Sequence, residues 1–125
     1  MKKAIQIPGA PAPIGPYSQA IVSGDTVYVS GQIPLNPFTG ELEVESIEEA
    51  THRILKNIET LLKECGMTLN NIVKCSIFMT DLGQFSEMNA VYGSYFQDVP
   101  PARETVQVSK LPMNVPIEIS CIATK

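Results

Sequence analysis

Ile47, Ala50, Ile54, Ile58, Leu61, Leu62 and Cys65 recur at spacings of three and four. That period belongs to an α-helix with a single apolar stripe. Ser46, with Glu49 three residues on, has the form of a capping box, and Gly66 stands where a helix closes in the left-handed conformation. Such a helix must lay its stripe on something, and both neighbouring segments supply it. "TVYVSGQI" before it and "IVKCSIFMT" after it, residues 26–33 and 72–80, alternate apolar and polar residues as strands do. In the first, Val27, Val29 and Ile33 alternate with Tyr28, Ser30 and Gln32, and Gly31 inside the run signals a bulge or a close approach by backbone or ligand.

The remaining segments extend the pattern. A short strand near Lys3–Gln6 precedes a stiff loop, "PGAPAPIGPYS", residues 8–18, whose prolines limit helix and central strand. "QAIVSGDTVYVSGQI" reads as a hairpin about Ser23–Gly24–Asp25, and "NPFTGE" as a further turn. A second helix is expected from about Phe85 to Phe96, with Asp81 or Gly83 near its start and Leu82, Phe85, Met88, Tyr92 and Phe96 on its apolar side. Then "PPARETVQVSKLPMNVPIEISCIA" gives two strands joined at "LPMNVP", with Val106, Val108, Ile117, Ile119 and Cys121 as their apolar set. Strands, helix, strand, helix, strands is an α/β (α+β) order. Two right-handed crossovers place both helices on one face of a mixed β-sheet. At 125 residues, one domain over 1–125 is the expectation.

The other sheet face is then uncovered. By strand parity Tyr28, Phe78 and Ile122 point there, and a half-apolar open face implies a partner, most simply a second copy of the chain. Arg103, Thr105, Gln107 and Ser109 alternate with Val106 and Val108; Glu118 and Ser120 alternate with Ile117 and Ile119. If the valines and isoleucines meet the helices, Arg103 and Glu118 both lie on the open face, near the interface.

Composition narrows the function. With 44% hydrophobic residues the chain can build a core, but it has no run of about 20 apolar residues to span a membrane. "MKKAIQIPGAPAP" lacks the apolar region of an export signal. The net charge is −4, and no basic cluster exceeds Lys2–Lys3, which argues against nucleic acid as the main partner. Cys65, Cys75 and Cys121 are widely spaced and there is one histidine, His52, so no metal-ligand spacing arises; the cysteines read as reduced, cytosolic thiols.

Arg53 sits four residues after Glu49, a spacing that suits a solvated ion pair, and His52 reads as a solvated helix residue. Arg103 has no such local partner. Pro100–Pro101–Ala102 stiffen the backbone before it, and a guanidinium grips a carboxylate through two parallel hydrogen bonds. The plainer alternative is a structural ion pair across an interface. Glu118 is a carboxylate inside a strand; burial there would raise its pKa and let it exchange protons near neutral pH, and its plainer role is as the partner of Arg103. Tyr17 offers a hydroxyl and a flat wall, or simple packing. Ser30 and Gly31 offer donors, or only a bulge. Asn89 could bind a polar ligand atom, or be an ordinary exposed helix asparagine.

Taken together, "GPYSQA", "VYVSGQIP", "HRILKNIETLLKECG", "FMTDLGQFSEMNAVY" and "PARETVQVSKLPMNVPIEISCIA" resemble the RidA (YjgF) family of reactive-intermediate deaminases, over about residues 3–124. The resemblance implies a chorismate-mutase-like fold, assembled as a homotrimer around a central barrel with clefts between subunits. It implies hydrolysis of 2-aminoacrylate and 2-iminobutanoate to 2-keto acids and ammonia, in the cytoplasm and without a cofactor. It assigns Arg103 to the substrate carboxylate and Glu118 to the attacking water and its protons. Tyr17, Ser30, Gly31 and Asn89 would line the cleft. Thr105 stands where many members carry cysteine, so a contact made by its backbone survives and a thiol-dependent one does not. The rival readings are a non-catalytic 2-keto acid sensor, the ribonuclease or translation-inhibitor activity reported for relatives, a chaperone-like role and chorismate mutase itself. The last is poorly served by a chain with two arginines.

Overall fold

The computed structural model describes residues 1–10 and 12–125; Pro11, within the proline-rich loop 8–18, lies outside them. The strands are β1 (Lys2–Ile5), β2 (Ala20–Ser23), β3 (Thr26–Gln32), β4 (Ile72–Met79), β5 (Ala102–Gln107) and β6 (Ile117–Thr124). Helix α1 (Ile47–Lys63) joins β3 to β4, and α2 (Phe85–Tyr95) joins β4 to β5. The six strands form one mixed sheet in the order β1-β2-β3-β6-β4-β5. β4 and β5 run parallel; every other neighbouring pair is antiparallel.

The local chemistry of α1 follows its sequence. The Ser46 hydroxyl accepts the Glu49 N–H at 3.1 Å, and Gly66 adopts φ +70° just beyond the helix. The stripe of α1 lies on the sheet. Ile54, Leu55, Ile58, Leu61 and Leu62 pack with Ile77, Met79, Ile117 and Ile119, all fully buried. Each such side chain contributes roughly 1.5–3 kcal/mol on leaving water. Cys75 and Cys121, opposite one another on β4 and β6, are buried as small hydrophobes. Asp81 caps a short 3₁₀ turn at 82–84 by accepting the Gly83 N–H at 2.8 Å, and α2 begins directly after it.

Three sequence expectations change in the folded chain. Arg53 does not pair with Glu49. Its Nε donates to Glu43 Oε1 at 3.1 Å and its Nη1 reaches Asn57 Oδ1, so it ties the 34–45 loop to α1 instead of decorating the helix surface. The expected strand through Ile33 is interrupted: a register shift between Val29 and Gln32 turns Gln32 inward, where Ile33 was expected. The glycine in the run is part of that irregularity.

The third change matters most. Arg103 pairs in register with Cys75, Thr105 with Ile77 and Gln107 with Met79, and those β4 residues face the helices. Arg103 and Thr105 therefore lie on the helix side. Val106, opposite Phe78, faces outward and is 40% exposed. The valine does not meet the helices because the register of β5 on β4 sets it beside the outward-facing Phe78. Glu118, also opposite Phe78, lies on the open face as expected, with Tyr28 and Ile122 as a cross-strand pair beside one another.

Candidate active site in two halves

The first half is built by β5 and α2. The Arg103 guanidinium is partly buried, and its Nη1 donates to Asn89 Oδ1 at 2.8 Å. Its Cζ stands 4.8 Å from the centre of the Tyr92 ring and 5.6 Å from that of Phe85. A cleft of about 270 Å³ opens beside it, walled by Asn89, Tyr92, Gly93, Phe96, Pro100 and Pro101. Among the described residues Arg103 pairs with no carboxylate. A cation presented in a cleft without a counter-charge is a ready receptor for an anion. Thr105 lies one pleat further on, and its hydroxyl is buried without a hydrogen-bond partner. The Tyr92 hydroxyl, beside the Cys75 thiol, is likewise buried and unpartnered, and burial pushes it far above the usual phenol range.

The second half lies on the other face, where β3 and β6 meet. Burial alone holds the Glu118 carboxyl above its ordinary value, which favours its neutral form near the carboxylate range. Gly31 makes room for it: a Cβ at position 31 would sit 2.6 Å from Glu118 Cδ. The Ser30 N–H donates to Gln19 O at 2.9 Å and its hydroxyl to Ser18 O at 2.6 Å. Ser30 thus stitches the loop carrying Tyr17 to the sheet. Tyr17 stands 57% exposed and walls a groove of about 360 Å³ with Ile14, Ile33, Leu35, Pro112 and Met113. Met113 and Asn114 hold left-handed backbone, φ 55° and 56°, at the rim of this groove.

The named residues therefore fall into two sets. Asn89, Arg103 and Thr105 come together on the helix side; Ser30, Gly31 and Glu118 come together on the open side, with Tyr17 on the adjoining loop. The sequence reading did not single out Phe85, Tyr92, Phe96 or the Pro100–Pro101 wall as part of a site. The available signal was the spacing Phe85, Asn89, Tyr92, which puts all three on one helix face pointing toward the strand that follows.

The glycine gives a direct test of the second half. Gly31→Ala forces the Glu118 side chain aside; because Gly31 is exposed and at negative φ, the fold tolerates the methyl. We expect the melting temperature to move by only a few degrees, while any reaction that uses the Glu118 carboxyl in this place slows at least tenfold. Unchanged turnover would show that the Glu118 carboxyl is not held where it works.

Two helices on one face of a mixed six-stranded sheet match a known class of small proteins. A family model described as "Endoribonuclease L-PSP" matches residues 8–125. A "RutC family protein" from Pyrococcus abyssi is 48% identical over 99% of this chain and 98% of its own length. The mouse "2-iminobutanoate/2-iminopropanoate deaminase" is 40% identical over 100% of this chain and 93% of its own. The crystal structure of Escherichia coli YjgF superposes with a TM-score of 0.92 at 38% identity, covering 98% of both chains. The chain belongs to this L-PSP family, the RidA (YjgF) family of the deaminase resemblance.

Proposed function

We propose that the protein hydrolyses small enamine and imine acids, 2-aminoacrylate and 2-iminobutanoate, to 2-keto acids and ammonia. The observation that carries this reading is the uncompensated guanidinium of Arg103 in its cleft. The mouse relative's name supplies the reaction class. Arg103 and Glu118 occupy opposite faces of one sheet, so one small molecule cannot touch both within a single chain. The Arg103 half of one copy and the Glu118 half of another complete each cleft, in a homotrimer whose open faces with Tyr28, Phe78 and Ile122 turn inward as a central barrel.

In that cleft Arg103 holds the substrate carboxylate through two N–H donors. The enamine first takes a proton from solvent at its terminal carbon and becomes the iminium. Glu118 accepts a proton from water as the oxygen bonds to the C=N carbon, and the C=N π pair moves onto nitrogen to give the neutral carbinolamine. Glu118 then passes that proton to the carbinolamine nitrogen. As the C–N bond breaks and ammonia leaves, Glu118 takes the hydroxyl proton, the carbonyl forms, and the proton goes on to the ammonia, which departs as ammonium. Glu118 thus serves each proton transfer after the iminium forms, and orientation in a site shielded from bulk water provides the acceleration. We take the chain to act in the cytoplasm, where its three free thiols stay reduced.

The test generates 2-iminobutanoate with threonine dehydratase in the presence of semicarbazide, which captures the imine. Added protein should suppress the semicarbazone in proportion to its concentration. If it does not, the deaminase reading fails and a keto acid sensor using the same cleft replaces it. The family's description as an endoribonuclease raises a second reading, a ribonuclease. Against it stand the net charge of −4 and the single histidine, whose ring bonds the Tyr95 hydroxyl at 2.9 Å and lines neither half.

A further inference from the structure

Phe85, Asn89 and Tyr92 are spaced i, i+4 and i+7 along α2, and all three touch the Arg103 guanidinium. The two rings attract the cation through their faces, 5.6 and 4.8 Å from Cζ, and take no N–H from it. Asn89 takes one N–H, from Nη1, through a neutral carbonyl oxygen. An acidic residue in the same place would hold the arginine more strongly, but it would cancel the charge and occupy the donors. The three residues thus orient the cation and leave it charged.

We propose that Phe85, Asn89 and Tyr92 are positioning residues that aim Arg103 so that its Nε–Nη2 edge receives the substrate carboxylate. A carboxylate needs two parallel donors from one edge of the guanidinium. Nη1 gives one of its two N–H groups to Asn89, and among the described residues neither Nε nor Nη2 has an acceptor. The Nε–Nη2 edge is the parallel pair that draws on no donor of Nη1. This assignment rests on the carboxylate-clamp reading of Arg103, and it adds which edge binds and what holds it.

The experiment measures two quantities on the full-length protein: KM and kcat in the semicarbazide assay, and the Kd of 2-oxobutanoate by calorimetry, which needs no turnover. Asn89 is exposed on the helix, so its variants keep the fold, and melting curves check this. Asn89→Ala should raise KM and Kd about tenfold with kcat changed less than about threefold. Asn89→Asp, with nearly the same shape, should bind more weakly than Asn89→Ala, because its carboxylate competes for the guanidinium. Tyr92→Phe should recover most of the affinity that Tyr92→Leu loses. Unchanged Kd in Asn89→Ala, or Asn89→Asp binding as tightly as wild type, would overturn the proposal. If wild type binds 2-oxobutanoate with this order of variants but turns over no imine, the positioning role stands and the deaminase reading falls. If wild type suppresses the semicarbazone but binds no 2-oxo acid, the edge assignment falls and the deaminase reading stands.

Discussion

Arg103→Ala should lower kcat/KM for 2-iminobutanoate by on the order of 10²–10⁴. Two charge-assisted hydrogen bonds to a carboxylate contribute about 1.5–3 kcal/mol each, and alanine removes both. The chain should stay folded. Among the described residues no salt bridge is lost, and the contacts given up are one bond to Asn89 and packing over two rings, together roughly 2–4 kcal/mol. Assembly, followed by size exclusion with light scattering, should be unchanged. Near-normal turnover would remove the clamp role. A loss of assembly would instead show that Arg103 pairs with an acidic group of a neighbouring copy. Arg103→Lys should stay strongly impaired, since an ammonium cannot present two parallel donors from one plane.

Glu118→Gln should remove about 10²–10⁴ in rate while leaving the substrate's carboxylate contacts in place, so kcat falls far more than affinity. Its effect on stability has the opposite sign to its effect on activity. Burial raises the Glu118 pKa in the folded chain above its unfolded value. Between those two values the folded state holds more protons, so wild-type stability declines as pH rises through that window. Glutamine does not titrate. Urea denaturation from about pH 4 to about pH 8 should show the variant without this decline, and at least as stable as wild type at the upper end. Parallel stability curves would mean that the folded chain does not desolvate Glu118; retained kcat would mean that another group moves the protons.

Arg103 and Glu118 were visible in the sequence to different degrees. Helix α1 was legible because its stripe, its Ser46 cap and its Gly66 stop all agree. The irregularity at Gly31 was legible because a glycine inside an alternating strand leaves no side chain to pack and so marks a bulge or a close approach. Glu118 could be placed on its face because Ile117, Ile119 and Cys121 flank it on a central strand, where apolar means inward. The same rule failed for Arg103. On an edge strand the apolar side chain can face a missing partner, and Val106 does so, while the helix side takes arginine and threonine. Parity within β5 carries no information about which side is which; that comes from its register with β4, which local residues do not encode. Arg53 shows the same limit, since Glu49 was near in sequence and Glu43 is near in space.

The position of β6 carries a consequence for how the chain acquires its shape. β1, β2 and β3 form one ladder and β4 and β5 another, and β6 alone joins them, although it follows all five in the chain. A nascent chain complete through β5 but without residues 117–124 can form only two separate ladders, each with a bare inner edge able to recruit a foreign strand. The strand that closes those edges also brings Glu118 opposite Phe78 and against Gly31. Completion of the sheet and arrival of the candidate proton-transfer group are one event, so an unfinished chain cannot combine exposed edges with a finished site.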